Sequence, residues 1–388
     1  MPSQNKYPGV YVEEVPSGAY PIAGVPTAIA AFVDVFASGP VNAPVTVSSF
    51  TDFEQQFGGL NAASEASYAV QQFFANGGTQ AAVVRVDDAE GLAKGILGDE
   101  TAKTGLYALA GVDLFNILCV PATMKLPEAD AGAVAAAAGP LCSARKAMYL
   151  VDPPLDGAPD SMAGITQWLG KNASLRSADA ALYFPRTVMA DPLANGEPRT
   201  IAASGSVAGV WARTDAARGV WKAPAGQEAT IAGIEDLAVR LSDAENGILN
   251  PLAVNSLREF PGAGPVVWGA RTLAGDDATG GEWRYVSVRR LMFFIAESVC
   301  RGTTWAGFLP NSGPLWAQIR VNVGAFLHAL FLQGAFAGPT PKQAYFVRCD
   351  ETINPPSEEG TVAIEIGFAP LKPAEFVIVQ IRQLAAGT

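Results

Sequence analysis

The chain has 388 residues, 49% of them apolar and 16% charged, and its 37 acidic against 26 basic residues give a formal net charge of −11. That length and apolar content exclude a wholly disordered chain and allow two or three domains, each with a core of its own. The acidic balance, with no basic run longer than Arg289-Arg290, counts against direct nucleic-acid binding, and the low charged fraction points to surface covered by other protein or to a large single core.

Met1 to Lys6 carries no apolar segment behind a basic stretch, so no secretory signal is expected and the chain should fold in cytoplasm. Tyr7 to Pro16 reads as a short strand bounded by prolines, with Val10, Tyr11, Val12, Glu13, Glu14 and Val15 extended. A lone strand cannot bury its own faces. It joins a sheet in its own fold or in a neighbouring copy, and the sequence leaves both open. Thr27 to Phe36 is apolar enough for a central strand, and Phe50 to Phe57 is a short helix. Ala62 to Phe74 repeats apolar residues at helical spacing (Ala66, Ala69, Val70, Phe73, Phe74) and is stopped by Asn76-Gly77-Gly78; Ala81 to Val86 is the next strand.

Strands are expected at Leu114–Val120, Ala147–Val151 and Ala180–Phe184, with helices over the Ala- and Gly-rich run 129–144 and over Met162–Leu169. This alternation predicts parallel strands with covering helices, an α/β arrangement. Two long helices follow, Val286–Arg301 and Leu315–Phe336, the second with Leu315, Ile319, Val323, Phe326, Leu330 and Gly334 on one stripe. Ala344–Asp350, Val362–Phe368 and Glu375–Arg382 are strands. In the last, Phe376 and Ile378 face one side and Val377 and Val379 the other, so an exposed position would invite pairing. No uncharged apolar run reaches the roughly 20 residues that span a bilayer. The nearest, Val321–Ala337, contains Asn322, His328 and Gln333 and reads as a packed amphipathic helix, so no membrane insertion is expected.

Residues able to do chemistry are scarce. His328 is the one histidine and lies inside a helix, where it reads as a partly buried packing residue, so no Ser-His-Asp or Cys-His constellation is expected without it. Cys119, Cys142, Cys300 and Cys349 lie far apart with no CxxC spacing; Cys119, Cys300 and Cys349 adjoin apolar residues, the pattern of buried free thiols. No GxxxxGK[ST] loop is present, and Gly262-Ala263-Gly264-Pro265 leads into a strand rather than a helix. Asp276-Asp277 and Glu358-Glu359 read as solvated turn residues. Asn172-Ala173-Ser174 matches a glycosylation acceptor by chance. No catalytic, cofactor-binding or metal-binding residue is assigned, and no enzyme activity is expected.

Several segments resemble the contractile tail sheath family of phages and related injection systems. They are Tyr7 to Glu14, Asn76 to Val86, Ala212-Arg213-Thr214-Asp215 through Gly226, and Val266 to Leu273. Tyr285 to Leu291, Asn311 to Trp316, Phe346 to Thr352 and Ala369 to Phe376 continue the series in family order, leaving residues 90–200 with few matching motifs. The resemblance implies a multi-domain sheath protomer of mixed α+β type, with a C-terminal helix-plus-sheet domain and extended terminal strand arms. The expected division is an arm at 1–25, a core part at 26–99, an outer α/β domain at 100–265, a C-terminal core domain at 266–370 and an arm strand at 371–388. It implies sixfold rings stacked helically around an inner tail tube protein, with baseplate and tail terminator proteins as further partners and no cofactor. Contraction would drive the tube into a target envelope, the particle being a phage virion tail or an injection system. Val10–Val15 and Phe376–Val379 are then the inter-subunit arm strands, and Gln318, Arg320 and Gln333 could face the tube. Another tail or baseplate component, or a soluble α/β enzyme, are the competing readings.

Overall fold

Strands of small and β-branched residues, buried on both faces, build the centre of the molecule. The computed structural model describes residues 20–156, 160–307, 309–355 and 361–375. In chain order the first elements are β1 (Ala30–Asp34), β2 (Val45–Val47), α1 (Phe50–Phe57), α2 (Glu65–Ala75), β3 (Ala81–Arg85) and α3 (Leu92–Leu97). Next come β4 (Ile117–Cys119), α4 (Glu128–Arg145), β5 (Met148–Val151), α5 (Met162–Lys171), β6 (Ala180–Phe184), β7 (Thr187–Asp191) and β8 (Glu197–Ile201). They are followed by α6 (Ser204–Arg218), β9 (Asp236–Leu237), α7 (Asp243–Leu249), β10 (Val254–Phe260) and β11 (Gly264–Val267). The last are α8 (Val286–Gly302), α9 (Gly313–Leu332), α10 (Pro341–Ala344), β12 (Tyr345–Arg348) and β13 (Glu365–Phe368).

The main sheet runs β11-β10-β6-β5-β4-β1-β3-β2. Its six inner strands are parallel and its two edge strands antiparallel. Side chains alternate between two cores, as the two-residue strand repeat requires. Ala31, Val33, Val84, Leu118, Tyr149 and Leu182 face α3, α4 and α5. Ala30, Phe32, Val83, Ile117, Leu150 and Tyr183 face α1, α2, α6 and the start of α8. This is the expected mixed α/β fold. The sheet takes strands from both sides of the expected boundary at residue 99, so 26–99 and the strands after it share one core. A separate antiparallel sheet is ordered β8-β7-β9, and β12 pairs with β13.

The chain forms two compact units. One holds Gly24–Glu297 and the described residues from Pro370 on; the other holds Ser298–Ala369 and the described residues up to Ala23. In the first, α2 and α6 lie backbone to backbone. A Cβ at Gly205 would stand 2.3 Å from the Ala69 oxygen, and one at Gly209 2.5 Å from the Phe73 oxygen, so only glycine permits the approach.

Strand order reverses between β1 and β4, the place where open parallel sheets take ligands beyond their carboxyl ends. Here the chain's own Asp34 fills the helix N-terminus beside β1. Its Oδ2 accepts from the Ala66 amide at 2.8 Å and the Ser64 hydroxyl at 3.1 Å, and its Oδ1 from the Val35 amide at 2.8 Å. An anion seat of this kind usually serves a phosphate or carboxylate from outside; this one is taken.

Candidate functional site at the roots of the terminal segments

The expected arm strands Val10–Val15 and Phe376–Val379 lie outside the described residues. Their roots do not, and each is built around buried side chains. Tyr20 belongs to the smaller unit. Its amide donates to Asn322 Oδ1 of α9 at 3.2 Å, and its ring stacks on Trp305 with centroids 4.3 Å apart and planes 12° from parallel. Ile22 packs on Gly302, where any Cβ would meet its side chain at 2.7 Å. Seven residues after Tyr20, Thr27 is fixed in the larger unit. Asp215 on α6 accepts from the Thr27 hydroxyl at 2.6 Å and from both ends of the Arg290 guanidinium, at 3.0 and 2.5 Å. Arg290 also donates to the Thr27 carbonyl at 2.9 Å and lies 4.7 Å from the Trp211 ring centre. A two-pronged pair of this geometry is among the stronger polar contacts a core can hold.

The C-terminal root is similar. Arg271, 1% exposed, donates through Nε to Glu375 Oε1 at 2.7 Å and through Nη2 to Glu375 Oε2 at 2.5 Å. Its Nη1 reaches the Asn250 and Gly275 carbonyls at 3.1 and 3.2 Å and Asp277 at 2.9 Å. The Glu375 hydrogen bonds hold the Arg271 guanidinium above its ordinary pKa. Asn255 grips the Arg271 backbone from both sides, accepting from its amide at 2.7 Å and donating to its carbonyl at 2.8 Å.

The Arg289-Arg290 pair therefore divides between two buried acids. Arg289 donates to Asp179 at 2.6 Å and lies between Trp283 and Phe293. Asp276 accepts from the Ala278 and Thr279 amides at 3.0 and 2.9 Å and pairs with Arg176, while Asp277 pairs with Arg271 and Arg284. Asp277 is exposed in its turn as expected, but Asp276 is buried rather than solvated, because the Ala278 and Thr279 amides and Arg176 replace water around it. No group of three or more metal-capable side chains occurs among the described residues.

On α9 the inner stripe is as expected, with Leu315, Ile319, Val323, Phe326 and Leu330 buried, but the helix ends at Leu332 and Gly334 is exposed. Gly334 has φ +79°, a left-handed turn that breaks the helical run before Ala335 and Phe336. Gln333 is exposed, whereas Gln318 and Arg320 are half-buried, Arg320 donating to the Cys349 carbonyl. The outward row is apolar instead, with Val321 68% and Leu332 73% exposed and Phe346 of β12 53% exposed. By length and composition α9 could cross a membrane, yet its inner row is packed in its own unit. His328 is exposed rather than partly buried, its Nδ1 3.1 Å from the Tyr345 hydroxyl. Cys119, Cys142 and Cys349 are buried free thiols, but Cys300 is exposed because it points off the packed side of α8.

Four of the motifs quoted from the sequence supply a member of these joints, through Asp215, Arg271, Arg290 and Glu375. Trp316 donates to Asn311 at 2.6 Å, and Asn311 to the Thr361 carbonyl at 3.0 Å. Residues 97–273 match the phage tail sheath protein central domain, and residues 279–383 match the phage tail sheath C-terminal domain. The chain belongs to the phage tail sheath family. It is a structural protein of that kind and not an enzyme. It is 28% identical to a prophage major tail sheath protein of Pseudomonas aeruginosa, over 95% of this chain and 94% of that one. It is 27% identical to the tail sheath protein of Vibrio phage KVP40, over 47% of this chain and 26% of the relative. Among solved structures, the anti-feeding prophage helical sheath in the contracted state matches with TM-score 0.75 and 29% identity, over 97% of this chain and 99% of that chain. The sheath complex of an extracellular contractile injection system, also contracted, matches with TM-score 0.75 and 27% identity, over 97% of both chains.

Sequence reasoning quoted Asp215, Arg271, Arg290 and Glu375 inside motifs without assigning them a role. A usable signal was present: in a chain this poor in charge, an ionisable residue amid apolar neighbours has to be paired.

Proposed function

We propose that the chain polymerises as sixfold rings stacked around an inner tail tube protein, and that contraction of this sheath drives the tube through a target envelope. The observation that carries the reading is the match over 97% of the chain to subunits of two contracted sheaths. Assembly takes place in the cytoplasm of the producing cell, with baseplate and terminator proteins at the two ends. The driving energy is a difference between two packings of folded subunits, set at assembly and requiring no nucleotide. The terminal segments, Val10–Val15 and Phe376–Val379, link neighbouring copies by strand addition. The tube lies against the outward row of α9, where Val321, Leu332 and Gln333 are exposed, with Gln318 and Arg320 at its margin.

A second reading, a baseplate component, rests on the match to a chain in the anti-feeding prophage baseplate, at TM-score 0.75 and 28% identity. Negative-stain microscopy of the purified chain separates the two. Long hollow cylinders are the expected result. Discrete discs would favour the baseplate role, and monomers at every concentration and salt would sink both.

A further inference from the structure

The C-terminal segment leaves β13 inside the smaller unit, where the Ala369 amide donates to the Ala344 carbonyl at 2.8 Å. From Pro370 onward the chain belongs to the larger unit, and Glu375 is its last described residue. Its carboxylate takes the Nε and Nη2 donors of Arg271, while Nη1 serves Asp277 and the Asn250 and Gly275 carbonyls. The Asn255 side chain holds the Arg271 backbone independently of Glu375. Removing Glu375 leaves the guanidinium its ion pair with Asp277 but takes the partner from two of its donors. It also removes a side chain that ties the segment down where the expected strand begins.

We propose that Glu375 is a latch: its two-pronged bond to Arg271 fixes where the C-terminal arm leaves the fold, and so aims the arm at the neighbouring subunit. This rests on the reading of the arm as an inter-subunit strand. The pair positions the arm and does not itself touch the neighbour. Two prolines, Pro370 and Pro373, limit the approach to the latch, so a fixed end at Glu375 translates into a fixed exit direction.

The test uses the full chain carrying Glu375→Ala or Glu375→Gln, beside a chain ending at Glu375. Thermolysin cleavage within 370–376 is followed by mass spectrometry, hydrogen exchange is followed on peptides from β10 and β11, and cylinders are counted by microscopy. For Glu375→Ala, cleavage at 370–376 is expected to rise about a hundredfold while β10 and β11 stay protected, because a local opening is released without global unfolding. Glu375→Gln, which keeps one acceptor, should fall between. Cylinder yield should drop in the same order. Unchanged cleavage at 370–376 overturns the latch, and faster cleavage with full cylinder yield overturns its link to assembly. If the chain ending at Glu375 makes normal cylinders, the arm reading itself fails, and the latch then stands or falls on cleavage alone.

Discussion

Asp34 and Asp215 are both buried carboxylates that burial raises above the ordinary value, but only Asp215 has an arginine bonded to it. Burial pushes Asp34 up to about 7, against hydrogen bonds from Ala66, Val35 and Ser64 that pull it down. Asp152, whose Oδ1 accepts from the Ser204 amide at 3.2 Å, is raised to about 6 for the same reason. A folded-state pKa above the ordinary carboxylate value of about 4 means the native state holds the proton more tightly. The stability this contributes is complete below that ordinary value and is lost as pH rises through the folded one. Between pH 8 and pH 5, urea unfolding should thus show the native protein gaining roughly 2–3 kcal/mol relative to Asp34→Asn. A relative loss on acidification would refute the assignment. Asp215, by contrast, neutralises Arg290. Asp215→Ala leaves that guanidinium buried against the Thr27 carbonyl and the Trp211 ring, and should cost about 3–5 kcal/mol. Combining Asp215→Leu with Arg290→Met should recover most of the loss, because the charge and its counterion leave together. If the double variant is as unstable as the single one, packing rather than the pair holds this joint.

Helices and strands show where the sequence was informative. Central strands β1, β3, β5 and β6 and helices α1, α2, α5 and α8 stand within a few residues of expectation, since each carries a clear apolar period. Helix α6 escaped assignment because Ser204 through Ala212 is buried on every side, so no polar face marks a helical repeat. Strand β10 escaped because it buries Asn255, Ser256 and Arg258, polar residues that read as a loop. The Arg271–Glu375 joint spans 104 positions, and nothing local encodes which carboxylate an arginine will meet. Arm strands and tube-facing residues came from the resemblance rather than from periodicity; of the three polar residues named on α9, Gln333 is exposed and Gln318 and Arg320 are half-buried. Exposed connections also carry a prediction. Residues 98–103 and 192–196 are exposed turns, as are 155–156. Limited proteolysis of assembled sheath should cut first within 90–105, 152–160 or 191–200 if this region forms the outer surface. First cuts confined to the C-terminal third would reverse that placement.

At the scale of the whole chain, the scarcity of charge and the size of the apolar cores fit a subunit whose surface is shared with copies of itself. The N-terminal segment offers the direct check. Deleting Met1 to Pro16 leaves in place every residue named above in the two cores of the main sheet, so near-native circular dichroism is expected together with loss of cylinders. Failure to fold would place that segment in its own subunit's core, and normal contractile cylinders would remove it from the linkage. The division into two units has a mechanical meaning as well. The backbone crosses between them three times, at 23–24, 297–298 and 369–370. A load passed from one unit to the other would be carried by three stretches of backbone rather than by one. The chain is in this sense a redundant link, in which one severed peptide bond reduces stiffness without parting the connection.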